Sequence, residues 1–227
     1  MPLSRRATAR QSHAAFTRIG AHRHVEPYAT LVLAGSYREA GESGRWQVEA
    51  GMVVVHAAGE AHADWFGDRP TDLIDFVVPA SIATGVYRCA DADSLARSVL
   101  EGTPVLGVIV PAAGEADWPD ELASALRTDP AMSISGWAAE EGLQPETVSR
   151  GFLRAYGVTP AQYRLGVRIK GAIASLTRGA APLAEVAYAN GFADQPHMTR
   201  AVKAAIGTTP AELRRVNSVQ DRGVAAL

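Results

Sequence analysis

A near-repeat in the last third of the chain constrains its fold most. Trp137, Gly142, Val148, Arg150, Phe152, Gly157 and Pro160 recur as Val186, Gly191, Met198, Arg200, Val202, Gly207 and Pro210. Gly142 and Gly191 are 49 residues apart, and Arg150/Arg200 and Pro160/Pro210 are each 50 apart. Each copy reads as a short helix, a glycine turn and a second helix. The glycine supplies the left-handed residue that reverses the chain. Ala138, Ala139, Ala187 and Ala189 let the paired helices approach closely.

The same stretch carries helical start and stop signals. From Ser133 onward the apolar period is 3.6, and seven helices are expected. Ile134, Trp137 and Ala138 face one way until Gly142. Pro145 opens a helix lined by Val148, Phe152, Leu153 and Tyr156 and stopped by Gly157. Pro160 opens a long one, Pro182 a short one, and Asp194 caps another that ends at Gly207. The long helix, taken as Ala161–Leu176, spans roughly 24 Å at 1.5 Å per residue. That length sets two helix-turn-helix units about one DNA turn apart, near 34 Å, so that both second helices enter successive major grooves.

The N-terminal part has a different rhythm. Tyr28–Leu33, Trp46–Val48, Met52–His56 and Leu73–Val78 are short and rich in β-branched or aromatic residues, and Gly35, Gly41, Gly44, Gly51, Gly59 and Gly67 punctuate them. A small sandwich or barrel is expected. Asp91–Leu100 looks helical with Ser94 as its cap. Prolines 104, 111 and 119 interrupt the next stretch, save for a short helix near Glu121–Leu126. The expected organisation is a β domain over 1–90, a helical connector over 91–129, a helical domain over 130–217 and a flexible tail over 218–227. Trp118 is expected to pack the two halves together, and Trp46 and Trp65 to serve as core or pocket wall.

Charge divides along the same line. Residues 1–129 hold 11 Lys/Arg against 17 Asp/Glu, whereas 130–217 hold 10 against 6. A basic helical part beside an acidic β part fits a polyanion-binding module joined to one that does not bind polyanions. The one cysteine, Cys89, suits a reducing cytoplasm. Met1–Arg10 lacks an apolar stretch, so no secretion signal is expected, and no apolar run is long enough to span a bilayer.

Residues 134–215 resemble the DNA-binding domain of the AraC/XylS-type bacterial regulators. The resemblance rests on Gly191, Phe192, Asp194, Gln195, Pro196, His197, Met198, Thr199, Arg200 and Lys203, with Gly207-Thr208-Thr209-Pro210 after them. Met198, Val202 and Leu213 stand where that family usually has aromatics. The resemblance implies base contacts from Glu146, Ser149 and Arg150 in the first unit, and from Gln195, Pro196, His197, Thr199 and Arg200 in the second. Arginine bridges guanine O6 and N7, and glutamine pairs with adenine. Thr147, Arg154 and Lys203 are better placed for phosphates, which position the protein without specifying sequence.

Four of the six histidines, His22, His24, His56 and His62, lie in the β part. On a strand, His22 and His24 face the same side. This looks like a cupin-type barrel, the usual sensing partner of AraC-type domains, in which a two-histidine strand and a later histidine hold a metal. The ligands would be His22, His24 and His62, with His56 or Glu26 as a fourth, and Zn²⁺, Ni²⁺ or Fe²⁺ would suit them. The pattern expects a glutamate where Ala29 stands. A metal site, a metal-free ligand pocket and plain hydrogen-bonded histidines all remain open.

The expected fold is therefore α+β in two domains: a small cupin-like β-barrel, then an all-α bundle with two helix-turn-helix units. The expected function is sequence-specific transcription regulation under a metal or small ligand. The expected partners are double-stranded DNA, that effector and RNA polymerase, with the chain a monomer or homodimer. A cupin metalloenzyme and a partner-binding regulator without DNA affinity are the alternatives. No nucleophile–base pair is evident, and Ser43-Gly44 is a turn rather than a nucleophile elbow.

Overall fold

The computed structural model describes residues 8–79, 81–104, 109–111 and 117–215. The expected tail, 218–227, lies outside them. Among the described residues there are ten strands: β1 (Ala9–His13), β2 (Arg18–Arg23), β3 (Tyr28–Ala34), β4 (Ser36–Gly41), β5 (Gly44–Glu49), β6 (Met52–His56), β7 (Ala61–Phe66), β8 (Thr71–Val77), β9 (Gly85–Cys89) and β10 (Ile109–Pro111). Helix α1 (Ala92–Leu100) separates β9 from β10. Then come α2 (Trp118–Thr128), α3 (Ile134–Glu140), α4 (Pro145–Tyr156), α5 (Pro160–Arg178), α6 (Leu183–Ala189) and α7 (Gln195–Ile206).

The strands form a six-stranded sheet, β1-β8-β3-β6-β9-β10, and a four-stranded sheet, β2-β7-β4-β5. The expected β domain is present as two antiparallel sheets that do not join into one closed hydrogen-bonded barrel. Strand β3 shows why it reads as continuously apolar. Alternate residues point to opposite faces, and both faces are covered. Val32 packs with Tyr37, Val48, Phe66 and Leu73 between the sheets, whereas Ala29 and Leu31 join Val53, Ile74, Phe76, Leu95 and Val99 under α1. The cap of α1 is Asp91, which accepts from the Ser94 amide; Ser94 itself lies inside the helix.

The helical part has two cores joined by α5. Leu122, Ala123, Leu126, Ala138, Val148, Phe152, Tyr156 and Tyr163 form one. Ile169, Ile173, Leu176, Val186, Phe192, Met198, Val202 and Leu213 form the other. Helix α5 reaches 178, with 19 residues or about 28 Å, slightly longer than expected. Helix α2 is longer than the short connector helix expected, and it fills the first core. Among the described residues the helices from Ile134 onward number six, counting 210–215, rather than seven.

The repeat is visible in the caps. Gly157 and Gly207 close α4 and α7 in the left-handed conformation at φ 71° and 74°, where a side chain would be strained. Thr159 and Gln162 form a capping box at the start of α5, and Thr209 and Glu212 make the matching contacts after α7.

Candidate nucleic-acid interface and barrel interior

Helices α4 and α7 each bury one stripe and expose the other. In α4, Val148, Phe152, Ala155 and Tyr156 are buried, at the i, i+4, i+7, i+8 spacing of one helical face. That leaves Glu146, Thr147, Ser149, Arg150, Leu153 and Arg154 exposed. In α7, Met198 and Val202 are buried, and Gln195, Pro196, Arg200 and Lys203 are exposed. His197 and Thr199 are half-buried. The His197 ring packs edge-on against Phe192, and its amide donates to the Asp194 cap at 2.6 Å. Among the described residues, Arg150, Arg154, Arg200 and Lys203 enter no ion pair. Their charges are open to an incoming polyanion.

The two units differ in how their second helices begin. Asp194 caps α7 with its side chain, while Gln144 caps α4 without one. Glu146 sits in the first turn of α4, where the helix dipole favours a carboxylate.

The helical part is docked on the β part through buried charges. Arg23 Nη2 lies 2.6 Å from Glu42 Oε1 and 3.4 Å from the Gly166 carbonyl of α5. A Cβ on Gly166 would meet Glu42 Oε1 at 2.6 Å, so the close approach of α5 requires glycine there. Lys170 Nζ lies 3.2 Å from Glu60 Oε2. Burial works to raise the Glu60 carboxyl, but Lys170 and His56 hold it below its ordinary range. Arg45 of β5 donates to Asp117 and Asp120 at the start of α2, and Asp120 also accepts from Tyr156 of α4 at 2.7 Å. Trp118 packs under α4, where a Cβ on Gly151 would meet its ring at 2.3 Å. Trp65, expected as core or pocket wall, is partly buried against the first helical core and faces Gly157, with Arg38 stacked over it at 4.5 Å. A cavity of about 350 Å³ lies between the sheet and α5, bounded by His22, His62, Glu42, Tyr163, Gly166 and Ile169.

Behind that cavity the histidines converge. β2 pairs with β7 so that His22 stands opposite His62, and Gly41 of β4 lies on the other side of His62. His24 comes just after the end of β2, its ring 4.9 Å from that of His22. The potential ligand atoms of His22, His24 and His62 all lie within 4.8 Å of one another. Glu26 is in neither ligand group found among the described residues, and His56 belongs to a deeper one with Glu39 and His62. Ala29 packs in the core under α1, so the expected glutamate position does not reach the histidines. Tyr28, one residue earlier, does. Its hydroxyl is 3.1 Å from His62 Nε2, and its ring stacks on His56 at 4.5 Å.

Below these rings are carboxylates that the sequence pattern alone does not single out. Glu39 stands opposite Asp64 across β4 and β7, and Thr30 opposite Asp75 across β3 and β8. Asp75 accepts from Thr30 and Gln11, both at 2.6 Å. Burial, then the charges of Asp64 and Glu60, push the Glu39 carboxyl well above its ordinary range. The signal available was Glu39 and Asp64 in short strands; only the pairing of β4 with β7 makes them neighbours.

The helix-turn-helix domain family matches residues 137–216. This segment is a helix-turn-helix domain. The expectation of a helix-turn-helix domain over 134–215 is borne out on this segment. No curated protein matches the chain. Among solved structures the chain is similar to ToxT from Vibrio cholerae, at 10% identity over 91% of this chain and 96% of that one, with a TM-score of 0.44. It is also similar to the DNA-binding domain of AdpA in complex with a target DNA, at 23% identity over 46% of this chain and 96% of that one, TM-score 0.43. A probable AraC family transcriptional regulator from Rhodopseudomonas palustris aligns at 19% identity over 42% of this chain and 93% of that one, TM-score 0.39. These superpositions are loose, which leaves the domain match and the chain's own geometry as support. No helix among the described residues is long and apolar enough to cross a membrane.

Proposed function

We propose that this chain is a sequence-specific DNA-binding transcription regulator of the AraC type, working in the cytoplasm. One observation carries the reading: two capped helix-turn-helix units, each with its own core, expose the second-helix faces that bear Arg150 and Arg200. Glu146, Ser149, Arg150, Gln195, Pro196, Thr199 and Arg200 read base edges. His197 joins them from its half-buried position beside Phe192, and Thr147, Arg154 and Lys203 hold phosphates. RNA polymerase is the further protein partner this role implies.

The β domain is the sensing half, and its effector is a divalent metal or a small ligand bound by its histidine cluster, to which His22, His24, His56 and His62 belong. Three imidazoles within 4.8 Å are a fitting donor set for Zn²⁺, Ni²⁺ or Fe²⁺. His22 and His62 line the cavity that α5 closes, so occupancy there bears on the Arg23–Glu42 and Glu60–Lys170 contacts to the helix joining the two units. The effector shifts the balance between docked and released arrangements. No enzymatic step is assigned to the chain.

The test is selection of bound genomic fragments, then affinity measured across salt concentration. A regulator of this kind retains a defined sequence and loses affinity steeply as salt rises. Equal recovery of all fragments, or affinity flat in salt, would overturn the reading.

A further inference from the structure

We propose that the interior of the β domain holds one divalent transition-metal ion on Glu39, His56 and His62, a site deeper than the three-histidine group and distinct from it. The three residues come from β4, β6 and β7. Their potential ligand atoms all lie within 4.8 Å of one another, and their exposures are 1%, 1% and 4%.

The chemistry of the donors is that of a metal site. Two imidazoles and one carboxylate form the set that takes Fe²⁺, Zn²⁺ and similar borderline cations. Glu39 supplies an independent pointer. Its Oε2 accepts from Tyr37 at 3.2 Å and lies 3.7 Å from His56 Nε2, whereas its buried Oε1 has no hydrogen-bond partner among the described residues. A buried carboxylate oxygen without a partner is costly, and a cation satisfies it. These residues line a cavity of about 50 Å³, enough for an ion with a water beside it.

Charge also favours this position over the outer one. Glu39 is crowded by Asp64 and Glu60, and its carboxyl is pushed up by burial and by them. A dication turns that repulsion into attraction. The outer set offers imidazoles alone, with no carboxylate among its donors, and two of the three are only half-buried. The Tyr28 hydroxyl at 3.1 Å from His62 Nε2 helps fix that ring, and Asp64 Oδ2 at 3.9 Å adds negative charge beside it. Because His62 belongs to both groups, the two compete for it and the chain binds one ion.

The inference rests on the β domain alone, so it survives or fails apart from DNA binding. The full-length chain, stripped with chelator, is dialysed against Zn²⁺, and separately Co²⁺, and bound metal is counted. One ion per chain is expected. H22A/H24A retains it within a few-fold of wild-type affinity, while E39Q and H56A each lose at least tenfold. E39Q keeps the side chain's shape, and its metal-free thermal unfolding is recorded to establish that it folds. Loss in H22A/H24A with retention in E39Q and H56A would move the ion to the outer histidines and overturn the proposal. A wild-type chain that binds no ion would overturn it as well.

Discussion

Alanine at position 166 puts a methyl carbon where the docking of α5 leaves no room. A Cβ there lies 2.6 Å from Glu42 Oε1 and 3.1 Å from Arg23 Nη2. The Arg23 end is flexible, but Glu42 is 3% exposed and held by Arg23 at 2.6 Å. Overpacking of this kind costs about 1–3 kcal/mol, and breaking a buried pair costs about 3–5 kcal/mol. Against this, alanine gains about 1 kcal/mol over glycine within a helix. Alanine displaces the Arg23–Glu42 pair without removing either partner, so the overpacking cost less the helix gain applies, and the expected net effect of G166A is a loss of up to about 2 kcal/mol, a fall in Tm of up to roughly 4–8 °C for a chain of this size. The sign should reverse once the obstacle is removed: in an E42A background, adding G166A should raise Tm, because only the helix gain remains. Thermal unfolding of the four proteins in the cycle measures this. A G166A variant more stable than wild type in the native background would refute the docked geometry of α5 against β4.

Other expectations rest on single contacts. The Glu39 carboxyl is raised in the folded chain, so the stability it contributes is full below the ordinary carboxyl range and falls as pH rises through the folded value. E39Q, assayed with chelator present, should therefore be more stable than wild type at neutral pH and lose that advantage in acid; an advantage that grows in acid would contradict the burial. Asp194 accepts from the His197 amide at the start of α7, so D194A should lower stability by about 1 kcal/mol, read as earlier unfolding and faster amide exchange in α7 than in α4. Phe152 is fully buried in the core of the first unit. F152A should cost about 3–5 kcal/mol and abolish DNA binding by that unit, as chemical denaturation and footprinting would register.

Local signals made the helical half legible. Pro145 and Pro160 stand at the first turns of α4 and α5, Gly157 and Gly207 close α4 and α7, and Asp194 caps α7. Each acts within a few residues, so sequence alone carries it. The β half depends on pairing between distant strands. Strand β6 was legible because four of its five residues are apolar, but β1, β7 and β9 take their partners from far along the chain, up to 66 residues away for Ala9 with Asp75. For the same reason His22, His24 and His62 were found by their residue type, while Glu39 was not: β4 meets β7 only in the folded sheet. The docking of α5 on Glu42 and Glu60 has no sequence signature either, since Gly166 within an otherwise helical stretch reads only as a weak helix former.

Two reading heads in one chain remain the central claim, and a double-variant binding experiment tests it most directly. On a selected operator, R150A and R200A should each weaken binding by about 1–3 kcal/mol, roughly 5- to 150-fold. Each should relax preference at a different base pair, with the two effects multiplying in the double variant. If one substitution leaves affinity and base preference untouched, or both relax the same base pair, the chain does not read DNA through two units.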